Sequence, residues 1–314
     1  MPKPFMTYEQ QIQKLQDKNL IIQNVDDAKN VLHQLGYFSL ITGYKDLFKN
    51  STTKNYRDGT TFQDILSLYI FDRDLRSITL PYLLQIEKHI RSALSYAFCE
   101  INGDDQAAYT FPGNYDFTSL QKQRQINELI QKYILSLLNH KTDYPYIEHY
   151  KNAHGTVPLW VLINAVTFGT LSKMYSLSKP KVQTRVSNEF QGVNEHQLSQ
   201  MLQVLTSYRN VCAHGDRLFS YRCSRYEIPD LLLHQKLAIP QKGTQYIYGK
   251  RDFFALILCF RYLLPHKEFL QFKKCLIALI EKVVSENHQV SRDKLLQLMG
   301  MPQNWKKITA FKKI

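Results

Sequence analysis

Apolar positions recur at helical spacing along most of the chain. Phe62, Ile65, Leu66, Tyr69 and Ile70 form one stripe, and Leu83, Ile86, Ile90, Leu94 and Ala97 form another. Both advance by the three- and four-residue steps of an amphipathic helix. They predict two long helical stretches within residues 61–100, with Pro81 either opening the second or kinking a continuous one. The same pattern predicts helices over 120–138, 159–177, 252–264 and 268–287. Shorter helices are expected over 7–18, 25–35 and 291–300. Thr7 and Gln10 suit an N-terminal cap, Asp26 and Asp27 suit a first turn, and Gly36 suits a stop. Residues 51–59, 102–117, 140–158 and 223–250 read as connections, with 245–248 a candidate strand. The expected fold is all-α. It is organised as an N-terminal helical extension (1–60), a helical core with insertions (61–290) and a short helix with a basic tail (291–314), together one compact unit.

Composition supports this picture. Hydrophobic residues make up 44% of the chain and aromatic residues 12%, enough for a packed core and too much for a disordered chain. With 12 Gly and 11 Pro in 314 residues, turn-forming punctuation is sparse for a sandwich or barrel. The net charge of +13 favours polyanionic partners, because lysines and arginines that neutralise phosphates release counterions. The five cysteines (Cys99, Cys212, Cys223, Cys259 and Cys275) are odd in number and form no Cys-x-x-Cys pair, which fits buried thiols in a reducing compartment. Cys212, His214 and Cys223 match no standard zinc spacing, so neither metal nor cofactor is expected. The first ten residues lack a signal-peptide pattern, and the apolar stretch 253–264 is short and interrupted by Arg261. A cytoplasmic protein without a membrane span is expected.

Candidate chemistry concentrates in the helix expected over 194–214. Asn194 and Gln197 suit a capping box, and Gly215 suits the C-terminal cap. Met201, Leu205, Tyr208 and Cys212 make an apolar stripe; Gln203, Ser207, Asn210 and His214 make a polar one roughly opposite. Arg209 borders the polar stripe. Its five-residue separation from His214 is a divergence of about 140° on an ideal helix, so the two flank a groove. Cleavage of RNA by its own 2′-hydroxyl needs one proton removed, one delivered, and a charge-stabilising donor on the phosphate. Histidine suits either transfer and arginine suits the phosphate. One His and one Arg make half of an acid–base pair, and a two-fold dimer would supply the other half. The plain alternative is a surface histidine after a helix and an unrelated arginine.

The segment RNVCAHGDRLFSYR resembles the Arg-x-x-x-x-His signature of the HEPN superfamily of helical ribonucleases. The wider chain resembles the abortive-infection (Abi-like) HEPN proteins. The matching stretches include KPFMTYEQQIQKL, YFSLITGY, FDRDLRSITLPYLLQIEKHIRSAL, VPLWVLINAVTFGTLSKMYSLS and LMGMPQNW, in the family's order. The resemblance implies an HEPN-type helical bundle core with added helices, and a homodimer whose two motifs share one cleft. It also implies metal-independent endoribonuclease activity yielding a 2′,3′-cyclic phosphate, acting in phage defence or toxin-like growth arrest. The chain is related in this way to RNA-targeting CRISPR effectors, and a structured non-coding RNA is an expected partner or regulator. Arg209 matches the phosphate-binding arginine, His214 the catalytic histidine, and Asn210 the polar residue that orients them. Glu87 and Arg91 match the family's Glu-x-x-x-Arg and read as a brace for the active helix or an RNA contact. Arg217 and Arg222 read equally as phosphate contacts or a solvated basic loop. Asp72 and Arg76, equally spaced, read as an ordinary helical pair. Tyr208, Tyr221 and Tyr226 are candidates for base stacking, with core packing favoured for Tyr208 on the apolar stripe, and Trp305 is a candidate for anchoring a tail that carries Lys306, Lys307, Lys312 and Lys313. Two other classes remain open: a non-catalytic RNA-binding module, and a protein-interaction component of a defence or toxin–antitoxin system.

Overall fold

The computed structural model describes residues 4–311 and is all-α apart from one two-stranded ribbon. In chain order the helices are α1 (Tyr8–Gln16), α2 (Val25–Leu35), α3 (Phe62–Asn102), α4 (Gln106–Thr110), α5 (Leu120–Glu128), α6 (Leu135–Asn139), α7 (Pro145–His154), α8 (Leu159–Leu162), α9 (Phe168–Leu177), α10 (Pro180–Ser187), α11 (Glu195–His214), α12 (Leu232–Lys236), α13 (Phe253–Leu263), α14 (His266–Glu286) and α15 (Arg292–Leu298). The ribbon pairs Gln241–Lys242 with Gln245–Tyr246, so the strand expected over 245–248 exists in shortened form. The Lys312 and Lys313 part of the basic tail lies outside the described residues.

Helix α3 organises the molecule. Helices α10, α11 and α14 pack along it, and α11 also packs on α9 and α13. The two helical stretches expected within 61–100 are one continuous 41-residue helix. Proline cannot donate to the carbonyl four residues earlier, but Pro81 and Ser77 both lie on the exposed face. Water can therefore satisfy the orphaned carbonyl, and the helix continues. Thr61 and Asp64 form a reciprocal capping box at its start. The side-chain amide of Asn287, just after α14, donates to the Asp64 carbonyl at 2.7 Å and to Ser67 Oγ at 2.8 Å. This ties the far end of α14 to the first turns of α3. The buried apolar residues form one continuous cluster running from Ile12 to Ile308. Every residue of α13 is buried, including Arg261, which lies over the Phe269 ring and donates to the Phe311 carbonyl at 2.8 Å. Among the described residues, no helix is long and apolar enough to cross a membrane.

Three sequence expectations need correction. The helix expected over 120–138 runs as α5, a π-turn over Leu129–Ile134 and α6. Residues 159–177 are not one helix: they break between α8 and α9, where Thr167 caps α9 by accepting from the Thr170 amide. The stretches expected to be loops at 102–117, 140–158 and 223–250 carry the short helices α4, α7 and α12. The aromatic stretch at 37–48 is a π-turn over Phe38–Thr42 followed by a 3-10 turn over Lys45–Phe48.

Trp305 is buried, as its expected anchoring role requires. Just before it, Gly300 adopts a φ of +68°, and an added Cβ would overlap the Asp252 carboxyl that caps α13. Gly300→Ala is therefore expected to lower stability by about 2–4 kcal/mol, combining left-handed strain with overpacking. Thermal unfolding checks this; a variant melting with the wild type would show that the cap relocates freely.

Candidate active site

Helix α11 carries both predicted caps. Asn194 Oδ1 accepts from the Gln197 amide, Gln197 accepts in return, and Gly215 closes the C-terminus at φ +73° in the left-handed region. Met201, Leu205, Tyr208 and Cys212 are buried, while Asn210 and His214 are exposed. The apolar and polar stripes thus fall where their spacing placed them. Tyr208 is a core residue: its hydroxyl donates to the carbonyls of Tyr221 and Arg251, at 3.2 and 3.0 Å. Burial pushes the Cys212 thiol up to about 12, so it stays protonated at neutral pH. Among the described residues, no group of three or more His, Cys, Asp or Glu side chains is arranged to hold a metal ion.

Glu87 joins three of the predicted site residues. It is buried on α3, with Oε1 accepting from Arg91 Nη2 and Oε2 lying 3.5 Å from Arg209 Nε. Arg209 Nε is itself buried and has no other partner, although the side chain as a whole is 32% exposed. Its Nη1 and Nη2 make no hydrogen bond to any described residue. One carboxylate thus faces two guanidiniums, leaving a surplus positive charge on the end of the helix that carries Asn210 and His214. Arg91 spends its remaining donors on the backbone, bonding the Ile163 carbonyl and, at 2.8 Å, the Val166 carbonyl. These carbonyls flank the break between α8 and α9. Arg91 is therefore a brace that closes the break and holds Glu87 against the motif helix. Tyr146 feels the charge of Arg91, and its exposed ring lies 5.7 Å from that of Tyr144.

A second fastening holds the chain just beyond His214. Asp72, fully buried, accepts from the Phe219 amide at 2.7 Å, the Leu218 amide at 3.1 Å, Tyr44 Oη at 2.7 Å and Arg76 Nη1 at 2.7 Å. Arg76 Nη1 also donates to the Asp216 carbonyl at 3.0 Å. Burial pushes the Asp72 carboxyl above the usual carboxylate range, opposed by the Tyr44 hydrogen bond, the Arg76 charge and the two backbone amides. Asp72 and Arg76 are thus more than the ordinary helical pair the spacing suggested. Their bonds to the backbone at 216–219 fix the exit of α11, and no local sequence signal points to that link across the fold.

The two loop arginines are placed differently. Arg217 donates to the Gly43 carbonyl, and Arg222 lies 3.5 Å from Asp252 Oδ2 with its side chain 53% exposed. Both are exposed and close in sequence to the motif, yet each has a structural partner. Sequence reasoning did not anticipate a polar pocket of about 460 Å³ farther up α11, lined in part by Gln203, Thr206, Arg225 and Tyr226.

The geometry defines an all-helical protein in which Arg209, Asn210 and His214 occupy the last turns of a braced helix. The chain belongs to the Abi-like protein family, whose model matches residues 30–220. That span runs from α2 through the motif and the Asp72-held exit. No curated protein and no solved structure matches the chain.

Proposed function

We propose that this Abi-like protein is a metal-independent endoribonuclease of the HEPN type, acting in abortive infection against phage. The observation that carries the reading is the state of Arg209, Asn210 and His214. Arg209 Nε lies 3.5 Å from the buried Glu87 carboxylate as an ion pair, its terminal nitrogens bond no described residue, and Asn210 and His214 are exposed on the same helical end. A guanidinium so held offers two fixed donors to a phosphate without reorganising as charge builds. Family membership supports the defence role.

In the proposed reaction, a histidine takes the proton of a ribose 2′-hydroxyl and the oxygen attacks the adjacent phosphorus. The bond to the 5′-oxygen breaks, and a second histidine returns a proton to that leaving oxygen. The products are a 2′,3′-cyclic phosphate and a 5′-hydroxyl. Arg209 neutralises the non-bridging oxygens in the transition state, and Asn210 orients the pair. A homodimer facing its two motifs together supplies both histidines, and the surplus positive charge serves RNA binding. A structured RNA is a fitting inhibitor or partner for the same surface.

The test is to incubate the full chain with total RNA in EDTA and count new 5′-hydroxyl ends, beside Arg209→Ala. Cleavage by the wild type, reduced about 10²–10³-fold in the variant, is the expected result. Equal cleavage by both proteins would refute the assignment; salt-sensitive RNA binding without new ends would favour a non-catalytic RNA-binding module.

A further inference from the structure

The face of α11 midway between Arg209 and His214 belongs to Asn210 and, farther back along the helix, to Thr206 and Gln203. Successive 100° steps put all three within about 60° of one another, between the directions of Arg209 and His214 on the helix. Followed toward the N-terminus, that line enters the polar pocket. Thr206 and Gln203 form one wall, about 6 and 10 Å along the axis from Asn210 at 1.5 Å per residue. Helix α9 contributes Lys173, the segment after α5 contributes Tyr133, and the loop beyond the motif contributes Arg225 and Tyr226.

Charge and shape narrow the occupant. Lys173 Nζ is 2.5 Å from Glu128 Oε2 and lies over the Tyr133 ring, so its charge is already matched. Arg225 is exposed and makes no ion pair among the described residues. One uncompensated guanidinium fits one phosphate. The phenol ring of Tyr226 offers a face for stacking, the Tyr133 ring being taken by Lys132 and Lys173, and the amides of Gln125 and Gln203 can both donate to and accept from a base edge. At about 460 Å³ the pocket falls within the range of small-ligand sites.

We propose that this pocket binds one nucleotide, its phosphate on Arg225 and its base against Tyr226 with its edge read by Gln203. Resting on the nuclease reading above, we assign that nucleotide to the RNA substrate, two to three stacked steps from the cleaved phosphate at about 3.4 Å per step. The pocket then sets the base preference of the enzyme, while Arg209 and His214 carry out the cut.

The experiment measures binding and cut-site choice separately. Fluorescence anisotropy with uncleavable 2′-O-methyl 12-mers differing at one base reports binding, and competition with the four nucleoside 5′-monophosphates reports the free ligand. Sequencing of 5′-hydroxyl ends reports preference. Arg225→Ala and Tyr226→Ala are each expected to weaken the preferred 12-mer about tenfold, within the range of one lost stacking or phosphate contact. They should still cut RNA but with a flattened base preference; Tyr226→Phe should behave as the wild type. If the variants lose monophosphate binding alone, the pocket stands and its occupant is a free nucleotide. If both alanine variants bind every probe as the wild type does, the pocket assignment fails, whatever the nuclease assay shows. Should the wild type bind nucleotides here yet never cut RNA, the nuclease reading fails and the pocket survives.

Discussion

His214→Ala is expected to reduce RNA cleavage by about 10²–10⁴-fold, the usual share of a general acid or base. The fold should not change. His214 is exposed, makes no hydrogen bond to any described residue, and sits at the last position of α11, where Gly215 and not the imidazole closes the helix. Exposed substitutions of this kind typically shift stability within about 0.5 kcal/mol. Loss of activity at an unchanged melting temperature would therefore report chemistry alone. Arg209→Ala is a less clean variant, because it also removes one of the two guanidiniums facing the buried Glu87 carboxylate. Measured together, single-turnover cleavage and thermal unfolding decide the matter. A His214→Ala protein that cuts at the wild-type rate would remove the histidine from the mechanism.

Asp72→Ala is expected to produce the largest stability loss in the molecule, about 3–5 kcal/mol, the typical result of breaking a buried charged pair. The substitution strands two backbone amides, the Tyr44 hydroxyl and the Arg76 guanidinium in an apolar setting. The amides and the hydroxyl lose their acceptor in a buried site, and Arg76 keeps only the Asp216 carbonyl. The melting temperature should fall by roughly 5–10 °C. Residual cleavage should fall further than the folded fraction alone explains, because the backbone at 216–219 no longer fixes the exit of α11. Asp72→Asn should lie between wild type and alanine: its carbonyl can still accept, but its amide then faces donors. Arg73→Ala, which removes an exposed neighbouring pair, is the matched control. An Asp72→Ala protein melting within a degree of the wild type would show that the fastening is dispensable.

The parts of this structure written in local sequence were readable there. The caps of α11, its two stripes and the exposure of Asn210 and His214 all follow from spacing within one helix, and so do the capping box of α1 and the buried α13. What escaped depends on partners distant in sequence. The apolar run 159–177 carries nothing that forbids a continuous helix. It breaks where Arg91, on another helix, satisfies the freed carbonyls of Ile163 and Val166. Pro81 left two options open because the outcome turned on whether its orphaned carbonyl met water. The pocket behind the motif draws its walls from four chain segments, so no single window of sequence contains it. Asp72 looked like half of a helical pair because its more telling partners are backbone amides, which a sequence does not display.

Glu87 meets Arg209 near one end of the motif, and Asp72 meets Leu218 and Phe219 beyond the other, so α3 and α11 run in opposite directions with two points of attachment. Both attachments lie on one unbroken helix, fifteen residues or about 22 Å apart. Helix α3 therefore works as a ruler with two fixed marks. Substitutions between the marks change only what they touch. One residue inserted or deleted there would turn one mark about 100° relative to the other, and Arg209 and the backbone at 218–219 could not both be held. In functional members of this family, the stretch between Asp72 and Glu87 is accordingly expected to keep its length even where exposed residues within it differ.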